Sequence, residues 1–238
     1  VGVAGLKRVA DARKMNASLA QVAITTGNTI GEMRGLALEL SNVTFRLKSV
    51  INTLTILSRA GIRNEEDLKA HANAFDAFAD AIGSTAEAVA EQLIPAYMMF
   101  GMELPRTAED LDRLTWMVKN TMVSMQDLGP VFDYVAAYGQ DLNVTFNDMI
   151  SIMAILAERG ITGSAVTKLF RTAITQAVNE GKSLNEVLGI TSAELVTYNQ
   201  MIGEEAVGAT QAYADVANEQ FGIMDKLKAK WEYLVLVM

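Results

Sequence analysis

His71 is the only histidine in a chain that contains no cysteine. No multi-histidine metal site, no histidine constellation for acid–base catalysis and no thiol or disulfide chemistry is therefore open to it. A lone histidine in a helix is far more often a surface or core filler than a base. The acid pairs Glu65-Glu66 and Glu204-Glu205 fall where helices are expected to start, and there the helix dipole accounts for them. Gly160-Ile161-Thr162-Gly163-Ser164 puts two glycines ahead of a helix, as a phosphate loop does. It follows a helix rather than a strand, however, and lacks the lysine that would reach a phosphate. Asn16-Ala17-Ser18, Asn42-Val43-Thr44 and Asn143-Val144-Thr145 fit the glycosylation sequon but read better as turn and cap chemistry. The expectation is no catalytic residue, no cofactor and no metal ligand.

The elements that would position any site are helical. With 3 prolines among 238 residues, 7% aromatics and half of the chain apolar, the core must be mostly Ala, Leu, Ile, Val and Met. That composition favours helix almost throughout, in one large domain or two small ones. The 13 methionines read first as core filler, and they also suit surfaces that repack against different partners. A net charge of −8 argues against a nucleic-acid or anionic-membrane surface. No uninterrupted apolar run reaches membrane-spanning length, and no signal peptide is visible.

Starts and stops are legible along the chain. Ser84, Thr107, Thr145, Ser183 and Thr191 each stand three residues before an acid, the pattern of a capping box. Asn64 precedes Glu65, Glu66 and Asp67, an acidic first turn. Gly61, Gly83, Gly101, Gly139, Gly160 and Gly181 each follow a periodic run, as helix-ending glycines do. These signals predict helices at 6–25, 29–41, 45–60, 65–82, 85–100, 108–122, 126–138, 146–159, 164–180, 184–188, 192–202 and 205–236. Pro130 should occupy the first turn of its helix. Met149, Ile152, Met153 and Leu156 form one buried stripe, and Leu68, Ala72, Phe75, Phe78, Ala79 and Ile82 form another. No segment alternates with a two-residue period, so the fold class is all-α.

An internal echo runs through this pattern. Val43-Thr44-Phe45 returns as Val144-Thr145-Phe146, and the run Ile56 to Ile62 returns as Ile155 to Ile161. Each time the order is helix, Gly-Ile, cap, helix. Gly61 and Gly160 should take positive φ, Ile62 and Ile161 should be buried beneath their turns, and Ser164 should act in the cap of the helix that follows. Two copies predict short antiparallel helical hairpins related as a pseudo-repeat.

These residues carry a resemblance. The run from Gly35 to about Val178 resembles the core of phage tail tape measure proteins, most sharply in DLGPVFDYVAAYGQDLNVTFNDMISIMAILAERGITGSAVTKLFRTAI. The family's pattern falls on Leu156, Ala157, Gly160, Ile161, Gly163, Ser164, Leu169 and Arg171; ILSRAGI with FADAIGSTAEAVAEQL resembles its preceding unit. The family usually writes Ala-Gly-Thr after the serine, where this chain has Ala165-Val166-Thr167, and Phe170 separates Leu169 from Arg171. The lost glycine implies looser packing of that helix.

The resemblance implies a long helical virion protein that sets tail length, takes part in tail assembly and leaves ahead of DNA during genome ejection. It implies as partners the tail tube protein, tail assembly chaperones, tail-tip or baseplate proteins and other copies of itself, in the virion tail and, during assembly, the host cytoplasm. Residues 1–42 are expected to form an N-terminal helical segment, 43–190 the tape-measure-like core, and 191–238 C-terminal helices leading onward. Because the chain begins with Val1 and stops inside WEYLVLVM, it reads as part of a longer polypeptide, with any membrane contact confined to sequence beyond Met238. The alternatives are a non-viral helical interaction scaffold, a membrane-active module of a larger protein, and a cell-wall-cleaving enzyme. The missing histidine constellation counts against the last.

Overall fold

The computed structural model of the chain describes residues 3–142 and 144–220. Among them there is no strand, and the architecture is all-α. The Cα trace divides into two compact units. The first takes the described residues of Val1–Glu91, Pro105–Ala108 and Gln211–Met238; the second takes Gln92–Leu104 and Glu109–Thr210.

In the first unit, α1 (Val3–Thr26) packs on α2 (Ile30–Leu40) and α3 (Leu47–Arg59), and α4 (Glu65–Ile82) packs on α2 and α3. The sequence pattern explains why. In α3, Leu47, Val50, Ile51, Leu54 and Leu57 recur at three- and four-residue steps and are all buried, leaving Lys48 and Arg59 in solvent. In α4, Leu68, Ala72, Phe75, Phe78 and Ala79 are buried as one stripe, and Ile82 is half-buried. The start of α4 is written locally: the Asn64 side chain accepts from the amides of Glu66 and Asp67. His71 lies in this core, 4% exposed, with Nδ1 2.9 Å from the Pro105 carbonyl. A carbonyl only accepts, so Nδ1 carries the proton.

The second unit contains α6 (Asp112–Asn120), preceded by the 3-10 turn Glu109–Leu111, then α7 (Met125–Leu142), α8 (Phe146–Glu158), α9 (Ser164–Glu180), α10 (Leu184–Val187) and α11 (Ser192–Glu205). Helix α5 (Ala86–Met99) begins in the first unit and ends in the second, while α12 (Ala209–Glu219) does the reverse. α8 is the centre. Every residue from Met149 to Leu156 is buried, Ser151 included, as expected of a helix apolar on all faces. It packs on α6 and α11, while α9 packs on α7 and α10. The scarce aromatics gather at the start of α8. The Phe146 ring lies 5.0 Å from Tyr97 and 5.5 Å from both Phe100 and Phe132.

Several sequence expectations are corrected here. Gly139 does not stop its helix, since α7 runs on to Leu142. Pro130 is the sixth residue of α7 rather than a first-turn residue, because a Ser124–Asp127 capping pair starts the helix earlier. Gly129, with no Cβ to meet the proline ring, lets the turn stay helical. Thr85, not Ser84, supplies the carbonyl that Val89 bonds at the head of α5, and Glu87 is drawn instead to the Ser49 hydroxyl. Thr107 opens no α-helix; α6 begins at Asp112 after the 3-10 turn. α11 continues through Gly203 to Glu205, and the break comes at Gly208, with φ 75°. Glu204-Glu205 therefore lies at a helix end, not a start, and Trp116 Nε1 donates to Glu205 across 3.0 Å. Residues 221–236 of the last predicted helix, and the Asn143 sequon, lie outside the described residues.

Candidate functional site

The residues singled out from the sequence build two helix-to-helix joints, one in each unit. Both close in the same way. At the first, Gly61 has φ 98°, its amide donates to the Ser58 carbonyl at 3.2 Å, and the Ile62 amide donates to Leu57 at 3.2 Å. At the second, Gly160 has φ 79°, its amide donates to Ala157 at 2.9 Å, and Ile161 donates to Leu156 at 2.9 Å. These are the paired bonds of a Schellman motif, which satisfies carbonyls that a helix end would otherwise leave unpaired. Nothing stands within 4 Å of where a Cβ would be at either glycine. Backbone sign alone, and no crowding, demands glycine there.

Leu156 is fully buried, whereas Ile62 and Ile161 are half-buried, less than the turn geometry predicts. Each sits one residue past the glycine, at the edge of the joint.

Beyond the isoleucines the joints diverge. Asn64 caps α4 with extended backbone, φ −75° and ψ 137°. Gly163 caps α9 at φ 58° and ψ −140°, with no side-chain cap bond, a region that only glycine enters freely. Ser164 is thus the first helical residue and not the cap. Val166 and Phe170, where this chain departs from the family's pattern, are both fully buried in the core. Leu169 is half-buried and Arg171 exposed; the Arg171 guanidinium lies 5.6 Å from the Tyr134 ring centroid, a cation–π contact joining α9 to α7.

The pairing of helices around the joints also differs. α3 and α4 pack on each other, while α9 turns away to α7 and α10. The predicted hairpin pseudo-repeat is thereby corrected. The joint recurs, and so does the 13-residue helix before it, but the hairpin does not.

The sequence reading missed three features. Gly189-Ile190 is a third joint of the same kind, with φ 65° and the Ile190 amide on Asn185 at 2.8 Å; its motif stood in plain view after the short α10. Arg159, the C-cap of α8, reaches that joint and donates to the Gly189 carbonyl at 3.3 Å and to Glu194 at 2.8 Å. The Asp112 carboxylate accepts from the amides of Gly208 at 2.6 Å and Thr210 at 2.8 Å, capping α12 from a distant helix with charge matched to its dipole. At Gly203 of α11 a Cβ would meet the end of the Arg113 side chain, which donates to the Asn199 carbonyl at 3.1 Å. Only the first of these three had a sequence signal.

Among the described residues no group of three His, Asp or Glu side chains is placed to hold a metal ion, and no helix is long and apolar enough to cross a membrane. What the geometry offers is a series of helices broken at glycine joints. The sequence profile of phage-related minor tail proteins matches residues 34–231, and the chain belongs to that family. It is a phage tail protein. It is also similar to the tape measure protein of Pneumococcus phage Dp-1, with 23% identity over 164 residues, covering 68% of this chain and 14% of that protein. The chain thus spans a small part of the relative's length. No solved structure matches it.

Proposed function

We propose that this chain is the helical core region of a tape-measure-type tail protein, acting in tail length determination, tail assembly and genome ejection. The observation that carries the reading is the recurrence of glycine-isoleucine joints inside the segment that matches the family, together with the likeness to a tape measure protein. Its partners on this reading are the tail tube protein, assembly chaperones, tail-tip proteins and further copies of itself. Gly61, Ile62, Leu156, Gly160, Ile161, Gly163, Ser164, Leu169 and Arg171 act structurally, in and around the joints.

The physical problem for such a protein is shape. Drawn out as one continuous helix, the chain would span roughly 360 Å, and every glycine stop works against that rod. The joints are local devices, each closed by two backbone bonds, so they are the places where the chain straightens when packaged in a narrow tube. Methionines at both core and surface, such as Met153 and Met122, suit helices that exchange one set of neighbours for another.

The test deletes whole helices between residues 44 and 180 from the intact protein and measures tails by electron microscopy. A packaged, extended region shortens tails by about 1.5 Å per residue removed. Loss of assembly without graded shortening would remove length determination from this region and leave it a role in initiation, ejection or tip attachment.

A further inference from the structure

We propose that α11 is a releasable strap, held on α6 and α8 by a seam of side-chain hydrogen bonds more than by apolar burial. It opens ahead of the rest of the second unit and bares the Ile155 face of α8. The helix packs on α8 and α6. Of its 14 residues only Ile202 is buried, whereas α8 buries nine of 13 and α9 five of 17. Something other than apolar area must therefore fix α11 in place.

The seam supplies it. Asn199 Nδ2 donates to Asp148 Oδ1 of α8 at 2.6 Å, and Asn199 Oδ1 accepts from the Ser151 hydroxyl at 2.7 Å. The Asn199 carbonyl accepts from Arg113 of α6 at 3.1 Å. Tyr198 donates its hydroxyl to Glu158, Arg159 donates to Glu194 at 2.8 Å, and Trp116 donates to Glu205 at 3.0 Å. On α11, Glu194, Tyr198, Ile202 and Glu205 follow at three- and four-residue steps; on α8, Asp148, Ser151, Ile155 and Glu158 do the same. Ile202 and Ile155, both buried, are thus apolar centres inside polar frames.

Such a seam fixes register yet opens at low cost. An apolar face that leaves its partner must be hydrated at a cost proportional to its area. A polar group exchanges its protein partner for water, so the net worth of each bond is small. The two ends of the strap are also unequal. Past its C-terminus, the buried Asp112 carboxylate holds the Gly208 and Thr210 amides, and the Thr115 and Thr210 hydroxyls bond at 2.8 Å. From Ser192 to Thr197 no side chain is buried, and the Arg159–Glu194 pair there is partly exposed. Opening starts at that end. The inference concerns the second unit alone and does not depend on the tape-measure reading.

Hydrogen exchange and thiol labelling of the 238-residue chain test it. Wild-type amides 196–201 of α11 should be roughly tenfold or more less protected than amides 150–156 of α8. Asn199→Ala, which removes two seam bonds, should speed exchange at 196–201 by about tenfold. Phe170→Leu in the core of α9 should lower protection at 150–156 and leave 196–201 unchanged, because α9 stays folded when only the strap opens. The chain has no cysteine, so an introduced thiol is labelled without background. Ile155→Cys should be labelled faster than Ala173→Cys, a buried position on α9, and faster still when combined with Asn199→Ala. If Ile155→Cys does not fold, the exchange measurements decide. Equal protection of α11 and α8 in the wild type would overturn the strap. So would unaltered exchange at 196–201 in Asn199→Ala, a Phe170→Leu effect that moves both stretches together, or a thiol at position 155 no more reactive than one at position 173.

Discussion

The joints at Gly61 and Gly160 share their bonds, their backbone sign and the length of the helix before them, yet they lead into different packing. Before the first joint, α3 is amphipathic, with Lys48 and Arg59 in solvent and one face buried. Before the second, α8 is buried from Met149 to Leu156 and ringed by other helices. A one-faced helix leaves room for the next helix to fold back on it, and α4 does so. A helix already covered by α6 and α11 leaves no such face, so α9 takes α7 and α10 instead. The lesson is that a joint specifies how a helix ends, while burial around that helix decides where the next one goes.

The strongest way to break the comparison is at the two echo phenylalanines, Phe45 and Phe146, both buried. Phe146→Ala should cost about 3–5 kcal/mol in denaturant unfolding, since three aromatic rings lose their common neighbour. Phe45→Ala should cost less, because it is the Phe146 ring that three other rings share as their neighbour. Equal losses would show that the aromatic cluster adds nothing to α8.

The caps come next. Gly163→Asn, which copies Asn64, should destabilise by about 1–3 kcal/mol, because asparagine enters φ 58°, ψ −140° poorly. Asn64→Gly should cost only a few tenths of a kcal/mol by the ordinary cap scale. If Gly163→Asn were neutral, the two caps would be interchangeable and the divergence of the joints would not be local.

Gly61→Val and Gly160→Val should each cost on the order of 1–2 kcal/mol and, more tellingly, cost the same. Both glycines have positive φ and open space around the missing Cβ, so the penalty is backbone strain alone. A clear difference between the two, measured by thermal melting, would mean that tertiary packing reaches into the joint. The smallest effect belongs to Arg159→Ala. Its ion pair with Glu194 is partly exposed, so the loss should be about 1 kcal/mol or less, with increased hydrogen exchange near Gly189 as the sharper readout.

Local chemistry was what the sequence could state outright. Asn64, Thr145, Ser183 and Thr191 cap their helices as their spacing from an acid or amide predicts, and Gly61, Gly83, Gly101, Gly160 and Gly181 take positive φ. These are contests between neighbours in the chain, settled within a few residues by orphan backbone groups and by the missing Cβ. Where the local signals competed, the reading failed. Gly139 looked like a stop but lies inside its helix, and the helix predicted to end at residue 202 runs on through Gly203, because glycine permits a stop without compelling one.

The tertiary structure alone decided the rest. Asp112 caps α12, Arg159 secures the Gly189 joint, and Asn218 meets Asp80 across separations of 96, 30 and 138 residues. No periodicity or spacing marks such pairs, since each partner is an ordinary polar residue on its own helix until packing brings the two together. The same holds for the helix that follows each joint. Its start and stop are written in its own residues, but its neighbours are chosen by which apolar faces remain uncovered once the other helices have packed.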